Sequence, residues 1–223
     1  AFSRLLALAL NPPAESMRLP FTADEPVPAA CYVSLQLRPL VVPDIGDSLD
    51  GHLIDRQHSP LTLGGAPLAE IAAMGESIAT LVIGASLNKA ADVLRTRTGV
   101  PDYRFDHLMG LDSCDSFTET LAELASVAVP AKIERQRAQL QDAMVDSHFM
   151  LGMARIAVAA DPDLLVMLCD FLTGMGAEVP AAVSPVKTEG LARLPIASVT
   201  IGDLRRQCLQ NAPDGIVLLD LET

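Results

Sequence analysis

The sequence predicts an α/β protein in which doubly wound parallel sheets form two units joined by a long helical segment. Three observations predict it. From residue 31 onward, short β-rich apolar runs alternate with helical patterns, the succession that parallel sheets with helices on both faces produce. The apolar runs are continuous rather than alternating, as strands covered on both faces require. Half of the 223 residues are hydrophobic, yet aromatics make up only 4% and Trp is absent. A core of Ala, Leu and Val suits helices packed closely on a sheet better than an aromatic-rich β-sandwich.

The opening "AFSRLLALAL" has a short apolar run behind one Arg, as a secretory signal would, but no small-residue cleavage site follows. Phe2, Leu5, Leu6 and Ala9 fit one face of a helix. A cut helix is expected there, with residues 1–30 as partial helix and linker, and the chain is expected to begin inside a larger protein. "CYVSLQLRPLVVP" then reads as two strand-like runs separated by a single Gln. Parallel neighbours need a crossover of about a dozen residues, so the runs form one long strand or lack a connecting helix.

The first α/β unit spans 31–128. "LRPLVVPDI" reads as a strand ending at Pro43-Asp44, and "TLVIGAS" as another ending at Gly84. "PLAEIAAMGES" reads as a helix with Pro67 in its first turn and Gly75 at its end. "SLNKAADVLRTRTG" has Ser86 as N-cap and Gly99 as C-terminal stop. A helix with Phe117, Leu121 and Leu124 on one face follows, then a break at Pro130. Residues 129–151 read as an inter-domain helix carrying Ile133, Leu140 and Met144. The second unit, 152–223, has strand-like runs "RIAVAAD", "AEVPAAVS", "ASVTIGD" and "DGIVLLD". Its helix "DPDLLVMLCDFLTGMG" has Asp161 as N-cap, Pro162 at the first helical position, and Leu164, Leu168 and Leu172 on one face. Four strands are few for a doubly wound sheet, so this unit is expected to be incomplete.

A net charge of −12 repels phosphate backbones and anionic lipid surfaces, so neither nucleic acid nor membrane is an expected partner. No run reaches the ~18 apolar residues of a membrane-spanning helix. Cys31, Cys114, Cys169 and Cys208 lie far apart with no C-x-x-C. They read as free thiols in a reducing compartment.

Candidate chemistry is sparse. Asp146, Ser147 and His148 stand in a row and supply the residue types of a hydrolase triad, but consecutive residues of a helix point in different directions. No glycines flank the Ser as a nucleophile elbow requires. His148 fits the last turn of the helix before Gly152, where a helix terminus favours a cation. Loops 84–88 ("GASLN") and 160–165 ("ADPDLL") lie where open α/β sheets bind ligands. Neither is a dinucleotide or triphosphate motif, and Asp161 and Asp163 would repel a phosphate. The Gly64-Gly65 pair in "TLGGAPLAEI" reads as a tight turn, although such a turn can cradle an anion. His52 and His58 flank Asp55 in a loop without the spacing of an established metal site. No residue is assigned a catalytic, cofactor-binding or metal role.

Read together, "LRPLVVPDIGDSLDGHL", "TLGGAPLAEI", "ATLVIGAS", "GVPDYRFDHLMGLDSCDSFTETLAEL", "RQRAQLQDAMVDSHFMLGMARIAVAADPDLL" and "GAEVPAAVSP…SVTIGDL" resemble, in collinear order, the N-subunit family of the nitrogenase cofactor-assembly scaffold. That family is related to the β subunit of nitrogenase component 1. The match runs from about residue 37 to 206. The "RQRAQLQDAM-DSHF" helix followed by "ADPDLL" is its most specific part, while residues 1–36 match weakly. The resemblance implies Rossmann-like domains and a cytoplasmic scaffold subunit on which the iron–molybdenum cofactor is assembled. It also implies an E-type partner in a heterotetramer and the nitrogenase iron protein as a further partner. The full complex would hold an iron–sulfur cluster and a cofactor precursor. The family's cluster-binding Cys lies in an N-terminal domain not represented here, and none of the four cysteines matches its motif. Two alternatives stay open. One is a catalytic nitrogenase or protochlorophyllide-reductase-like β subunit; the other is a free-standing α/β small-molecule-binding domain or enzyme using loops 84–88 and 160–165.

Overall fold

The computed structural model describes residues 4–10, 35, 37–42, 66–194, 206, 210 and 214–218. Cys31, Cys208, His52, Asp55, His58, the Gly64-Gly65 turn and the run "ASVTIGD" lie outside them.

The first sheet contains β1 (Arg4–Leu10), β2 (Leu37–Val42), β3 (Ala79–Ile83) and β4 (Asp102–Phe105), in the order β2-β1-β3-β4. All five residues of β3 are buried, as expected of a strand covered on both faces. Its alternation divides the core. Leu81 and Ile83 pack with Leu35, Leu37, Phe117 and Leu121 on one side; Val82 packs with Leu40, Met74 and Ala91 on the other. Phe117 and Leu121 come from α3 (Leu111–Ala125), one helical turn apart on its inner stripe. Ala91 comes from α2 (Asn88–Thr98), which Gly99 ends in the left-handed conformation, as the sequence indicates. Met74 opens a short 3-10 turn after α1 (Leu68–Ala73).

Two expectations for this sheet fail. Residues 4–10 form a strand, not a helix, and it runs antiparallel to both β2 and β3 in a sheet otherwise predicted to be parallel. "RLLALAL" is apolar at every position after its Arg. A surface helix uses one apolar stripe, whereas an inner strand of a sheet can be apolar throughout. The polar segment "DYRF" is β4, which pairs parallel with β3 and closes one edge of the sheet. An edge strand with half its face in water needs no apolar run, so periodicity did not reveal it.

The second sheet is parallel throughout, β6-β5-β7, with β5 (Arg155–Ala159), β6 (Glu178–Val183) and β7 (Gly215–Leu218). Ala157, Ala159, Ala181 and Val183 make one small-residue layer. Val158 and Ala182 face α5 (Pro162–Gly174) on the other side. Eight of the thirteen residues of α5 are buried, Leu165 completely.

Between the units runs α4 (Ala131–Leu151), 21 residues with none buried. At 1.5 Å per residue it is about 31 Å long. It is fastened at both ends. Ile133 packs against the first core, and Arg137 makes a bidentate pair with Asp115 of α3, both contacts at 2.7 Å. At the other end the Met153 amide donates to the Gly176 carbonyl at 2.8 Å. A Cβ on Gly176 would lie 3.2 Å from Cε1 of His148, and its φ of +81° is one that a side chain disfavours.

Candidate functional site

The row Asp146, Ser147, His148 is exposed near the end of α4. Ser147 Oγ donates to the carbonyl of Ala143 at 2.7 Å, a local bond within the helix. His148 stands over Gly152 and Gly176, and its carbonyl accepts the Gly152 amide at 2.7 Å. The three side chains do not converge; of the three, His148 is the one that lies against the start of the second unit.

What does converge is the crevice at the carboxyl ends of the strands. Gly84, at φ +99°, turns the chain out of β3 into a 3-10 turn at Ala85–Leu87. Ser86, expected as an N-cap of its own helix, instead donates both its amide (3.2 Å) and its hydroxyl to the carboxylate of Asp163. Asp163 lies in the first turn of α5 and is only 8% exposed. Asp161 holds the N-cap position, as the sequence indicates. Loops 84–88 and 160–165 therefore bond to each other, and the position where an open α/β sheet would receive an anion holds the protein's own carboxylate.

A second cluster lies beside this one. His107 Nδ1 accepts the Met109 amide at 3.3 Å, which leaves the proton on Nε2, 3.2 Å from Asp170 Oδ2 on α5. Ser113 Oγ is also 3.2 Å from Nδ1. Arg193 Nη1 reaches Asp106 at 2.6 Å, and its Nη2 lies 3.7 Å from Asp170. Serine, histidine and aspartate thus do meet in this protein, at 113, 107 and 170. The lone pair of Nδ1 is already engaged by a backbone amide, and the cluster joins the two units. Sequence reasoning missed it because the partners lie 63 and 87 residues apart. "CDFLTG" reads as part of a helix, and "FDHLMG" carries no candidate chemistry in the sequence.

The fit to an iron–sulfur cluster is poor among the described residues. No group of three or more His, Cys, Asp or Glu side chains there could hold a metal ion. Cys169 is buried, and burial together with the charge of Asp170 pushes its thiol up to about 12. Burial, helped by Asp115, also raises the Cys114 thiol. Both therefore disfavour the thiolate that a nucleophile or metal ligand needs.

A group of exposed apolar side chains lies at the end of α4 and just beyond it. Phe149 is 87% exposed, Met150 82% and Met153 90%, with Val145 beside them at 57%. No helix among the described residues is long and apolar enough to cross a membrane.

Two sheets flanked by helices and bridged by a long helix, with the loops at 84–88 and 160–165 bonded to each other, define a Rossmann-like α/β protein. The comparisons place the chain more closely. The sequence profile of the family described as nitrogenase component 1 type oxidoreductase matches residues 29–208, and the chain belongs to that family. It is 42% identical over 174 residues to the nitrogenase iron-molybdenum cofactor biosynthesis protein NifN of Klebsiella pneumoniae, covering 78% of this chain and 38% of that protein. To the protein of the same name from Nostoc sp. it is 46% identical over 168 residues, covering 75% and 38%. To that of Rippkaea orientalis it is 40% identical over 193 residues, covering 82% and 41%. The chain thus spans about two fifths of the length of these relatives. Among solved structures it is similar to "Nitrogenase Cp1 at pH 6.5", with a TM-score of 0.60 and 24% identity over 78% of this chain and 36% of that one. That likeness supports the fold alone.

Proposed function

We propose that the chain acts as part of a cytoplasmic scaffold subunit for assembly of the nitrogenase iron–molybdenum cofactor, working through contacts with partner chains. The observation that carries this is the identity of 40–46% to relatives named for cofactor biosynthesis. The structure is compatible in two respects. The loops that would serve a free-standing enzyme are bonded to each other at Ser86 and Asp163, and the end of α4 with the turn after it exposes Val145, Phe149, Met150 and Met153, an apolar group that a protein partner would cover. The iron–sulfur cluster and cofactor precursor are assigned to the assembled complex and to residues beyond those described here.

The test is co-expression with an E-type scaffold subunit. A co-purifying, brown, iron-containing complex is the expected result. A colourless chain that stays apart from that partner at micromolar concentration would overturn the proposal.

A further inference from the structure

The apolar group at the end of α4 contains two of the chain's eight methionines. Met150 lies in the last turn of the helix and Met153 two residues past its end, at 82% and 90% exposure. Their backbone is fixed. The Gly152 amide donates to the His148 carbonyl at 2.7 Å, and the Met153 amide to the Gly176 carbonyl at 2.8 Å. Met153 itself turns the chain at φ 65°, so its side chain stands on a bonded turn rather than on a loose end. The other described methionines are sheltered: Met74, Met167 and Met175 are buried, and Met109 and Met144 are half-buried. A dissolved oxidant must reach the sulfur of a methionine to react with it, so burial sorts the thioethers of this chain into two classes.

We propose that Met150 and Met153 are an oxidation site that switches off this surface: a peroxide converts both thioethers to sulfoxides, and the oxidised chain docks its partner weakly. This rests on the reading of the surface as the place where an E-type scaffold subunit binds. In each reaction the sulfur attacks one peroxide oxygen. An S–O bond forms and the O–O bond breaks, the sulfur gives up two electrons, and the second oxygen leaves with both hydrogens as water. A flexible apolar side chain thereby becomes a polar, chiral one. On the free chain the new oxygen is hydrated. Against an apolar partner surface it loses that water and gains no donor, so docking is penalised. The fold is not, because neither side chain belongs to any of the cores. Competition from the described cysteines is slow, since the thiols of Cys114 and Cys169 are both raised and their reactive thiolate is scarce. Once docked, the partner covers both sulfurs, so the switch acts on the chain before assembly.

The test treats the full chain with hydrogen peroxide, removes the excess with catalase, and only then adds an E-type scaffold subunit. Peptide mass spectrometry should find sulfoxide at Met150 and Met153 well before Met74, Met167 and Met175, with the denaturation midpoint unchanged. Capture of the partner should weaken roughly tenfold or more and return after treatment with methionine sulfoxide reductase. Met150→Leu combined with Met153→Leu keeps apolar side chains of similar volume; it should be captured as the unaltered chain is, and peroxide should no longer matter. In a complex formed before treatment, both sulfurs should be protected. Equal oxidation of exposed and buried methionines, full capture of the doubly oxidised chain, or peroxide-sensitive capture of the double leucine variant would each overturn the switch while leaving the docking reading in place. Failure of the untreated chain to be captured would overturn both.

Discussion

Helices α4 and α5 lie ten residues apart in sequence and have opposite environments. α4 has 21 residues and buries none; α5 has thirteen and buries eight. α5 is apolar on most of its circumference because β5 and β6 take one side and the 3-10 turn at Glu189–Arg193 another, with Leu191 of that turn in the same core. α4 is polar on most of its circumference because it touches the units mainly at its ends. A helix in the first position is held by its surroundings, whereas one in the second is held by a few specific contacts. Substitutions in α5 should therefore be felt in the stability of the second unit, and substitutions along α4 chiefly in what the chain binds.

The largest effect should come from the buried helix. Leu165→Ala removes a completely buried side chain and should lower unfolding free energy by about 2–5 kcal/mol in denaturant titration. A loss below 1 kcal/mol would mean that α5 is not the core element described.

Next comes the joint between the two helices. Gly176→Ala places a methyl 3.2 Å from the His148 ring at a φ of +81° and should cost roughly 1–3 kcal/mol. Adding His148→Ala should recover only the contact component, because the backbone strain remains.

A smaller effect is expected at the edge of the first sheet. The side chain of Asp102 is 2% exposed and bonded to Arg95 and Arg104 at 3.0 and 2.6 Å. Burial acts to raise its pKa, but the bonds and charges of Arg104 and Arg95 outweigh that and hold it below the usual value. The group is ionised in the folded state to lower pH than in the unfolded chain. Its stabilisation is present above the ordinary carboxylate range and is lost as pH falls through the depressed folded value. Arg95 is 63% exposed, so Asp102→Asn should cost only about 1 kcal/mol at pH 7, and the difference from the unaltered chain should shrink on titration to pH 3.

The smallest stability effect should come from the exposed end of α4. Phe149→Asp should change stability by no more than about 0.5 kcal/mol yet weaken capture of the proposed E-type partner. Unchanged capture in a pull-down would place the partner surface elsewhere.

Much of this contrast was legible in the sequence. The bounds of α4 and α5, and the strands β2, β3, β5, β6 and β7, follow from apolar runs, Pro130, Asp161-Pro162 and the exit glycines, which act within a few residues. β1 and β4 were not legible. A largely apolar run of seven residues suits helix or strand according to its neighbours, and a polar tetrapeptide becomes a strand only when an edge is offered to it. Ser86 shows the same limit at a single residue: its place before a helix predicts an N-cap, but a carboxylate 77 residues away takes its hydroxyl.

The sequence by itself determined which segments are helix or buried strand, that two α/β units are joined by a polar helix, and the family to which the chain belongs, because periodicity, caps and collinear motifs are local properties. Only the tertiary structure decided that Ser113, His107 and Asp170 meet while Asp146, Ser147 and His148 do not, that the strand-end crevice is closed by Asp163, and that β1 runs against its neighbours. Those outcomes depend on which surfaces meet after the chain has folded, and residues 63 to 87 apart carry no local mark of their pairing.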